Sequence, residues 1–188
     1  REVRVPMDAD LKKRYALVGA RARFRLAAEN RGKEPLLHTL VEQHHDDKIL
    51  VIGQYLDQLD KVAGTLEAPI ITGRTPKPER LDLYGRFRDG DLRVLVVSKV
   101  GNFAVDLPEA SVIIQISGTF GSRQEEAQRL GRVLRPKADG RRALFYSLVS
   151  DESVEQDFAQ HRQLFLTEQG YAYEILDADS LRNGKVCQ

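Results

Sequence analysis

Short runs of aliphatic residues recur along the chain from residue 48 onwards, and longer stretches with helical periodicity separate them. The runs are uninterrupted, which is typical of strands that are buried on both faces of a parallel sheet. They occupy residues 49–52, 69–72, 94–97, 112–116 and 143–149, and the helical stretches occupy about 55–66, 76–88, 122–134 and 152–169. This alternation predicts an α/β fold, an open parallel sheet with helices on both faces. Residues 171–176 are predicted to add an edge strand.

The first 45 residues have a different pattern. Apolar residues recur there mostly at i+3 or i+4, which predicts an amphipathic helix, and residues 30–33 interrupt it before Pro35 begins a second helix. The apolar positions of the first helix are Leu11, Tyr15, Val18, Ala22 and Leu26. We therefore expect a short helical segment, residues 1–45, before a domain at 46–178 and a tail at 179–188. Because the chain starts without an initiator methionine, we expect it to be a piece of a longer protein, with this segment as a helical lead-in or part of a linker from an upstream domain.

Composition narrows the possible classes of protein. The 188 residues are 41% hydrophobic and 30% charged, which excludes a disordered chain. Lysine and arginine number 29 against 28 acidic residues, so a nucleic-acid site would depend on local clusters of positive charge. The single cysteine, Cys187, excludes a disulfide framework and a cysteine-based zinc site. No apolar run approaches the ~18–20 residues that span a bilayer, so no membrane partner is expected.

The stretch after the fourth aliphatic run carries the most distinctive chemistry. Gln128, Arg132 and Arg135 are spaced four and three residues apart, which places them on one side of a helix. Arginine presents a planar fork of donors that matches phosphate oxygens. Gly131 lies inside the same predicted helix, where glycine costs ~1 kcal/mol relative to alanine, and this cost indicates a close contact at that position. The alternative is an ordinary solvated basic helix.

Residues 128–135 read Gln-Arg-Leu-Gly-Arg-Val-Leu-Arg and resemble motif VI of superfamily 2 helicases. The resemblance implies that Arg132 and Arg135 reach across a cleft to the γ-phosphate of ATP as arginine fingers. It also implies that Gln128 lies beside the attacking water and that Gly131 belongs to the nucleotide site. An arginine finger neutralises charge that builds up in phosphoryl transfer, an effect of roughly 10³–10⁵ in rate.

Residues 98–110 resemble helicase motif V in the form found in XPB-type DNA repair helicases. The resemblance implies that Asp106 contacts the ribose of the nucleotide. The same loop is expected to contact the DNA backbone, since ammonium and backbone amide groups suit phosphate. Its implied DNA contacts are Ser98, Lys99, Gly101 and Asn102. The alternative is a plain glycine-bearing turn in which Asp106 caps a helix.

Two earlier stretches complete the resemblance. Residues 49–55 are similar to motif IV, which implies that Gln54 contacts DNA, and residues 70–73 are similar to the stretch that follows it. There Thr72 and Gly73 are expected to hold a DNA phosphate through a hydroxyl and a backbone amide, although a plain strand end is the alternative. The motifs occur in family order over roughly residues 45–176 and are most similar to bacterial XPB-type helicases. The resemblance therefore implies a RecA-like fold.

Other features of the sequence are assigned structural roles. Neither Gly-Lys pair continues as a phosphate-binding P-loop, so this ATP-binding element is expected on the missing lobe. Residues 148–152 imitate a magnesium-binding strand end, but Ser150 or Asp151 is better explained as the N-cap of the next helix. His44 and His45 are expected at a solvated helix end, and no set of metal ligands is expected. Phe87 is predicted to lie in the core.

The resemblance implies the C-terminal RecA-like motor lobe of an ATP-dependent 3′→5′ DNA helicase or translocase. ATP and Mg²⁺ would bind the complete two-lobe enzyme, with the Mg²⁺ ligands on the missing lobe, and this chain alone would be inactive. Expected partners are the upstream lobe, DNA and a repair nuclease, with a cytoplasmic, nucleoid-associated location. One alternative is a non-catalytic docking module that uses the helices at 8–45 and 152–169, and another is a superfamily 2 motor with a different track.

Overall fold

A computed structural model describes residues 1–98, 110–118 and 143–182 of the chain. Within them, seven strands form a single sheet in the order β3-β4-β2-β5-β6-β1-β7, and every neighbouring pair is parallel. The strands are β1 (Glu2–Val5), β2 (Ile49–Gly53), β3 (Ile70–Ile71), β4 (Val94–Ser98), β5 (Val112–Gln115), β6 (Leu144–Ser150) and β7 (Ile175–Asp177). The predicted open parallel sheet is therefore confirmed, and β7 is the predicted edge strand, displaced towards the carboxyl terminus.

Helices cover both faces of this sheet, as the uninterrupted aliphatic runs predict. The helices of the described residues are α1 (Ala9–Leu17), α2 (Ala20–Ala28), α3 (Lys33–Gln43), α4 (Leu56–Thr65), α5 (Lys77–Asp89), α6 (Val154–Glu168) and α7 (Ala178–Arg182). Successive strand residues enter opposite cores: Val51 packs with residues of α3, α4 and α7, whereas Leu50 packs with α5. Phe87 of α5 is 2% exposed, so its predicted core position is confirmed.

The beginning of the chain is a strand of the sheet, which the sequence did not predict. Val3 is paired with Leu148 of β6 on one side and with Leu176 of β7 on the other, and its side chain is fully buried. A strand of four residues is too short for its alternating pattern to stand out beside a helical stretch. Residues 1–45 therefore contain helices and also a strand that joins the same sheet as the later strands. The domain boundary at residue 45 stays a prediction.

The helix predicted over residues 11–26 is two helices. Val18 and Gly19 have extended backbone conformations that end α1 and precede α2. The guanidinium Nε of Arg23 donates to the carbonyl oxygens of Tyr15 and Val18 at 3.2 and 3.1 Å, which satisfies acceptors that the end of α1 leaves open. Of the five predicted apolar positions only Leu11 is buried, and α2 instead buries Ala27 and Ala28. No helix in the described ranges is long and apolar enough to cross a membrane.

Candidate nucleotide and nucleic-acid site

The carboxyl ends of all seven strands lie at one edge of the sheet, because the strands are parallel. Gln54 directly follows β2, Thr72 and Gly73 follow β3, and Ser98 ends β4. Ser98 is in register with Gly53, and Val97 with Ile71, so these three strand ends are neighbours. The structure therefore brings together the four predicted DNA contacts that it describes. Ligands of open α/β sheets bind at this edge.

The remaining predicted site residues lie outside the described residues, and their roles stay predictions. They are Lys99, Gly101, Asn102, Asp106, Gln128, Gly131, Arg132 and Arg135. What the structure does describe is where the chain enters these two segments. It enters the first at Ser98 and the second at Gly118, just beyond β5, and both points lie at the carboxyl edge.

The turn after β3 is held by its own side chains. The Thr72 N–H donates to Thr75 Oγ1 at 2.9 Å, and the Arg74 N–H donates to Thr72 Oγ1 at 3.1 Å. Arg80 Nη2 donates to the Thr75 carbonyl oxygen at 3.0 Å. Of the two groups predicted to hold phosphate, the Thr72 hydroxyl still has its proton to donate, and Gly73 is exposed. The sequence reasoning missed the exposed cation Arg74, although it directly follows Gly73 and its charge suits a phosphate.

Close packing joins the end of β2 to the end of β5. The Gln54 N–H donates to Ser117 Oγ at 2.7 Å, and the Ile116 N–H donates to the Ile52 carbonyl oxygen at 2.9 Å. Gln54 Oε1 is buried and has no hydrogen-bond partner among the described residues. The position of Gln54 is therefore set by the chain that leaves β5.

A buried ion pair lies beneath this edge. Lys33 Nζ is 2.7 Å from Glu155 Oε2, and the two side chains are 3% and 7% exposed. Burial lowers the pKa of the Lys33 ammonium from its ordinary value, and the Glu155 carboxylate acts in the opposite direction. Lys33 Nζ also donates to the Ile116 carbonyl oxygen at 3.0 Å. The sequence reasoning missed this pair, since 122 positions separate its members and neither shows a local signal.

The end of β6 is bound into the same polar network. The Ser150 N–H donates to Glu155 Oε2 at 2.9 Å, Ser150 Oγ donates to the Ala27 carbonyl oxygen at 2.6 Å, and Asn30 Nδ2 donates to Ser150 Oγ at 3.1 Å. The predicted N-cap at Ser150 or Asp151 is wrong. Ser153 caps α6, because its extended backbone lets its hydroxyl accept from the Glu155 N–H, whereas Ser150 is still part of β6.

Two further expectations concern the histidines and metal binding. His45 is exposed, as predicted, but His44 is 14% exposed and lies 3.0 Å from both the Tyr146 hydroxyl and Asp47 Oδ2. The expectation of a solvated His44 is wrong because the aromatic ring of Tyr146 packs on it at 5.5 Å between centroids. In the part of the chain that the structure describes, no group of three or more His, Cys, Asp or Glu residues could hold a metal ion.

Comparison with known proteins places the chain among helicases. Residues 1–185 match the model of the ERCC3/RAD25/XPB C-terminal helicase family. The chain is 53% identical over 183 residues to the DNA 3'-5' helicase XPB of Kineococcus radiotolerans, a match that covers 97% of this chain and 33% of that protein. It is 52% identical over 180 residues to the DNA 3'-5' helicase XPB of Mycobacterium tuberculosis, covering 96% and 33%. The chain thus spans about a third of the length of these curated relatives.

Solved structures agree on the fold. The C-terminal domain of the Sulfolobus solfataricus SWI2/SNF2 ATPase superposes with a TM-score of 0.61 at 16% identity, covering 93% of this chain and 90% of that one. At this identity the likeness concerns the fold alone. It confirms the RecA-like sheet that the motifs imply.

Proposed function

The chain belongs to the ERCC3/RAD25/XPB C-terminal helicase family, and we propose that it is the C-terminal motor lobe of an ATP-dependent 3′→5′ DNA helicase or translocase of DNA repair. One observation carries this proposal beyond family membership. Three predicted DNA-contacting turns and the entries to both motif-bearing segments lie at one edge of the sheet. In a motor lobe, changes at the nucleotide site must be transmitted to the DNA contacts. Nucleotide and DNA contacts at the same edge of the sheet provide a short path for this coupling.

The predicted nucleotide residues would act on ATP held between this lobe and an upstream one. Arg132 and Arg135 would neutralise charge on the transferring phosphoryl group, Gln128 would orient water, and Gly131 would allow close approach. Asp106 would accept a hydrogen bond from the ribose. ATP supplies the hydrolysable phosphoanhydride bond, and we assign the Mg²⁺ ligands to the upstream lobe. The described residues serve this chemistry indirectly, by fixing where the two segments leave the sheet.

The predicted DNA residues would bind phosphates and not bases. The hydroxyl of Thr72 and the backbone of Gly73 lie on an exposed turn beside the cation Arg74, which suits an anionic backbone. Gln54, Ser98, Lys99, Gly101 and Asn102 would extend the same track. Because these contacts go to phosphates, we expect binding that is independent of sequence and weakened by salt. Because the net charge of the chain is only +1, we expect this lobe by itself to bind DNA weakly.

The partners follow from this assignment. We propose an upstream RecA-like lobe in the same protein, DNA as the track and a repair nuclease as a further associate. The proposed location is the cytoplasm, at the nucleoid. The yeast relative that is 40% identical to this chain is described as a helicase/translocase subunit of a general transcription and DNA repair factor, which is consistent with work inside a larger assembly.

DNA-stimulated ATP hydrolysis tests the proposed function. This chain is combined with the upstream lobe of its parent, and wild type is compared with Arg132→Ala. We expect turnover only in the combination, and about a thousandfold loss or more in the variant, because one finger supplies an effect of roughly 10³–10⁵. Arg31→Ala is the matched control, an exposed arginine at the same edge outside the motif, and it should retain the wild-type rate.

Two results would contradict the assignment. The first is equal turnover by the upstream lobe without this chain, and the second is an Arg132→Ala rate equal to that of wild type. Either result would favour the docking module, in which exposed apolar side chains such as Leu17 of α1 and Leu164 of α6 would contact the partner.

A further inference from the structure

Lys33 and Glu155 form a bridge between four elements of the carboxyl edge. Lys33 is the first residue of α3, and its ammonium binds the Ile116 carbonyl oxygen at 3.0 Å and Glu155 Oε2 at 2.7 Å. Glu155 lies in the first turn of α6, and the same oxygen accepts from the Ser150 N–H at 2.9 Å. The pair therefore ties the ends of β5 and β6 to the beginning of two helices.

The carbonyl group that accepts from Lys33 lies at the end of β5, next to the candidate site. Ile116 is two residues before Gly118, where the chain leaves the described part of the sheet towards Gln128, Arg132 and Arg135. Ser117 lies between them and accepts the Gln54 N–H at 2.7 Å. The hydrogen bond from Lys33 thus fixes the carbonyl group next to Ser117, which in turn binds Gln54, the predicted DNA contact after β2. The same carbonyl group lies two residues before the segment that carries the predicted arginine fingers.

Stability alone does not explain such a pair. Removing two charges from water is costly, and apolar side chains of similar volume often serve a fold equally well. Glu155 Oε1 is buried and has no hydrogen-bond partner in the described part of the chain, so the pair is not even fully satisfied. What an apolar pair could not do is to donate to the Ile116 carbonyl oxygen and so fix its direction.

We propose that Lys33 and Glu155 are positioning residues for ATP hydrolysis, which fix residues 116–118 at the end of β5 and, through Ser117, the backbone of Gln54. This inference rests on the proposed function. Neither residue is a catalytic residue, since each acts through the backbone of residues 116–118. Misplacement of catalytic groups by about 1 Å can lower a rate by roughly 10²-fold, so a small shift here suffices.

The test is a double variant, Lys33→Met with Glu155→Gln, in the full-length parent protein. Methionine keeps the unbranched shape and most of the length of the lysine side chain without its charge, and glutamine keeps an acceptor for the Ser150 N–H, so no unpaired charge is buried. We expect a melting temperature close to that of wild type, a fall in kcat of about tenfold or more, and a KM for ATP within about twofold. Hydrogen exchange at the Gln54 and Ile116 amides should quicken while the amides of β2 and β4 stay protected.

The matched control is Lys61→Met with Glu34→Gln. This pair joins α3 to α4 at 2.5 Å, and Lys61 is 61% exposed. We expect the control to keep the wild-type kcat. As a second variant, Lys33→Arg keeps donors for Ile116 and Glu155 and should recover part of the rate that the double variant loses.

Several outcomes would overturn the positioning role. They are a wild-type kcat in the folded double variant, a double variant that is unfolded at the assay temperature, and a Lys33→Arg rate no higher than that of the double variant. Arg132→Ala separates this failure from that of the proposed function. If wild type hydrolyses ATP and Arg132→Ala does not, while the double variant matches wild type, only the positioning inference falls.

Discussion

Gly53 ends β2 at the point where the candidate site begins, and its lack of a side chain is a packing requirement. A Cβ at this position would come within 2.8 Å of Leu59 Cδ2, 3.0 Å of Ser117 Oγ and 3.1 Å of Ile116 Cγ1. Contacts this short force neighbours to move, and two of these neighbours belong to the chain that leaves β5. Gly53 thus keeps β2 and the end of β5 close enough for the Gln54–Ser117 hydrogen bond.

Replacing Gly53 with alanine should lower the free energy of unfolding by about 1–3 kcal/mol, as overpacking of a close-packed site does. Gly64→Ala in α4 is the matched control, since nothing lies within 4 Å of its added Cβ and helix propensity favours alanine by about 0.5–1 kcal/mol. Urea denaturation of the two variants measures both effects. Equal free energies of unfolding for Gly53→Ala and wild type would show that Leu59, Ile116 and Ser117 can move aside at little cost, and would contradict the packing requirement.

At the scale of elements, α6 is the helix whose start the candidate site depends on. Ser153 accepts from the Glu155 N–H at 3.2 Å and donates to the Ser150 carbonyl oxygen at 2.6 Å, so one hydroxyl caps α6 and ties it to β6. Asp151, an equally good cap by residue type, is 44% exposed and accepts from Gln156 Nε2. Residue type indicated a cap within a few positions, but the end of β6 decided which residue it is.

Ser153→Ala should therefore destabilise the protein by about 1 kcal/mol, the usual cost of losing an N-cap. Asp151→Ala should change the free energy of unfolding by about 0.5 kcal/mol at most, because its contacts are exposed. Thermal or urea denaturation distinguishes the two. A larger loss for Asp151→Ala than for Ser153→Ala would reverse the assignment of the cap.

The whole molecule depends on β1, because this strand lies between β6 and β7 and not at an edge. Its position makes the first residues of the chain part of the same sheet that presents the candidate site. Val5 ends β1 at the carboxyl edge, where its carbonyl oxygen accepts from the Asp151 N–H at 2.9 Å and from Asn30 Nδ2 at 3.3 Å. The start of the chain is thus paired along both edges, with β6 on one side and β7 on the other.

Hydrogen exchange tests this integration. We expect the amides of residues 2–5 to be protected to the same level as those of β6, since interior strands open only with the cooperative unit that contains them. Residues 12–17 of α1 are the internal comparison, because Leu11 is the one buried residue of that helix and its amides should exchange much faster. Rapid exchange at residues 2–5 with a protected β6 would instead mark the start of the chain as a separate lead-in.

By itself the sequence determined six of the seven described strands, the two-faced burial of the sheet and the family of the motifs, because aliphatic runs, helical periodicity and motif spacing are local properties. It left out β1, the break at Val18 and Gly19, the burial of His44 and the pairing of Lys33 with Glu155. Only the tertiary structure decided these, because strand order and contacts between distant residues follow from how the elements pack. In the sequence a single lysine cannot be told from a solvated cation. In the folded protein, packing at the carboxyl edge buries Lys33 and directs its ammonium to the Ile116 carbonyl oxygen and to Glu155.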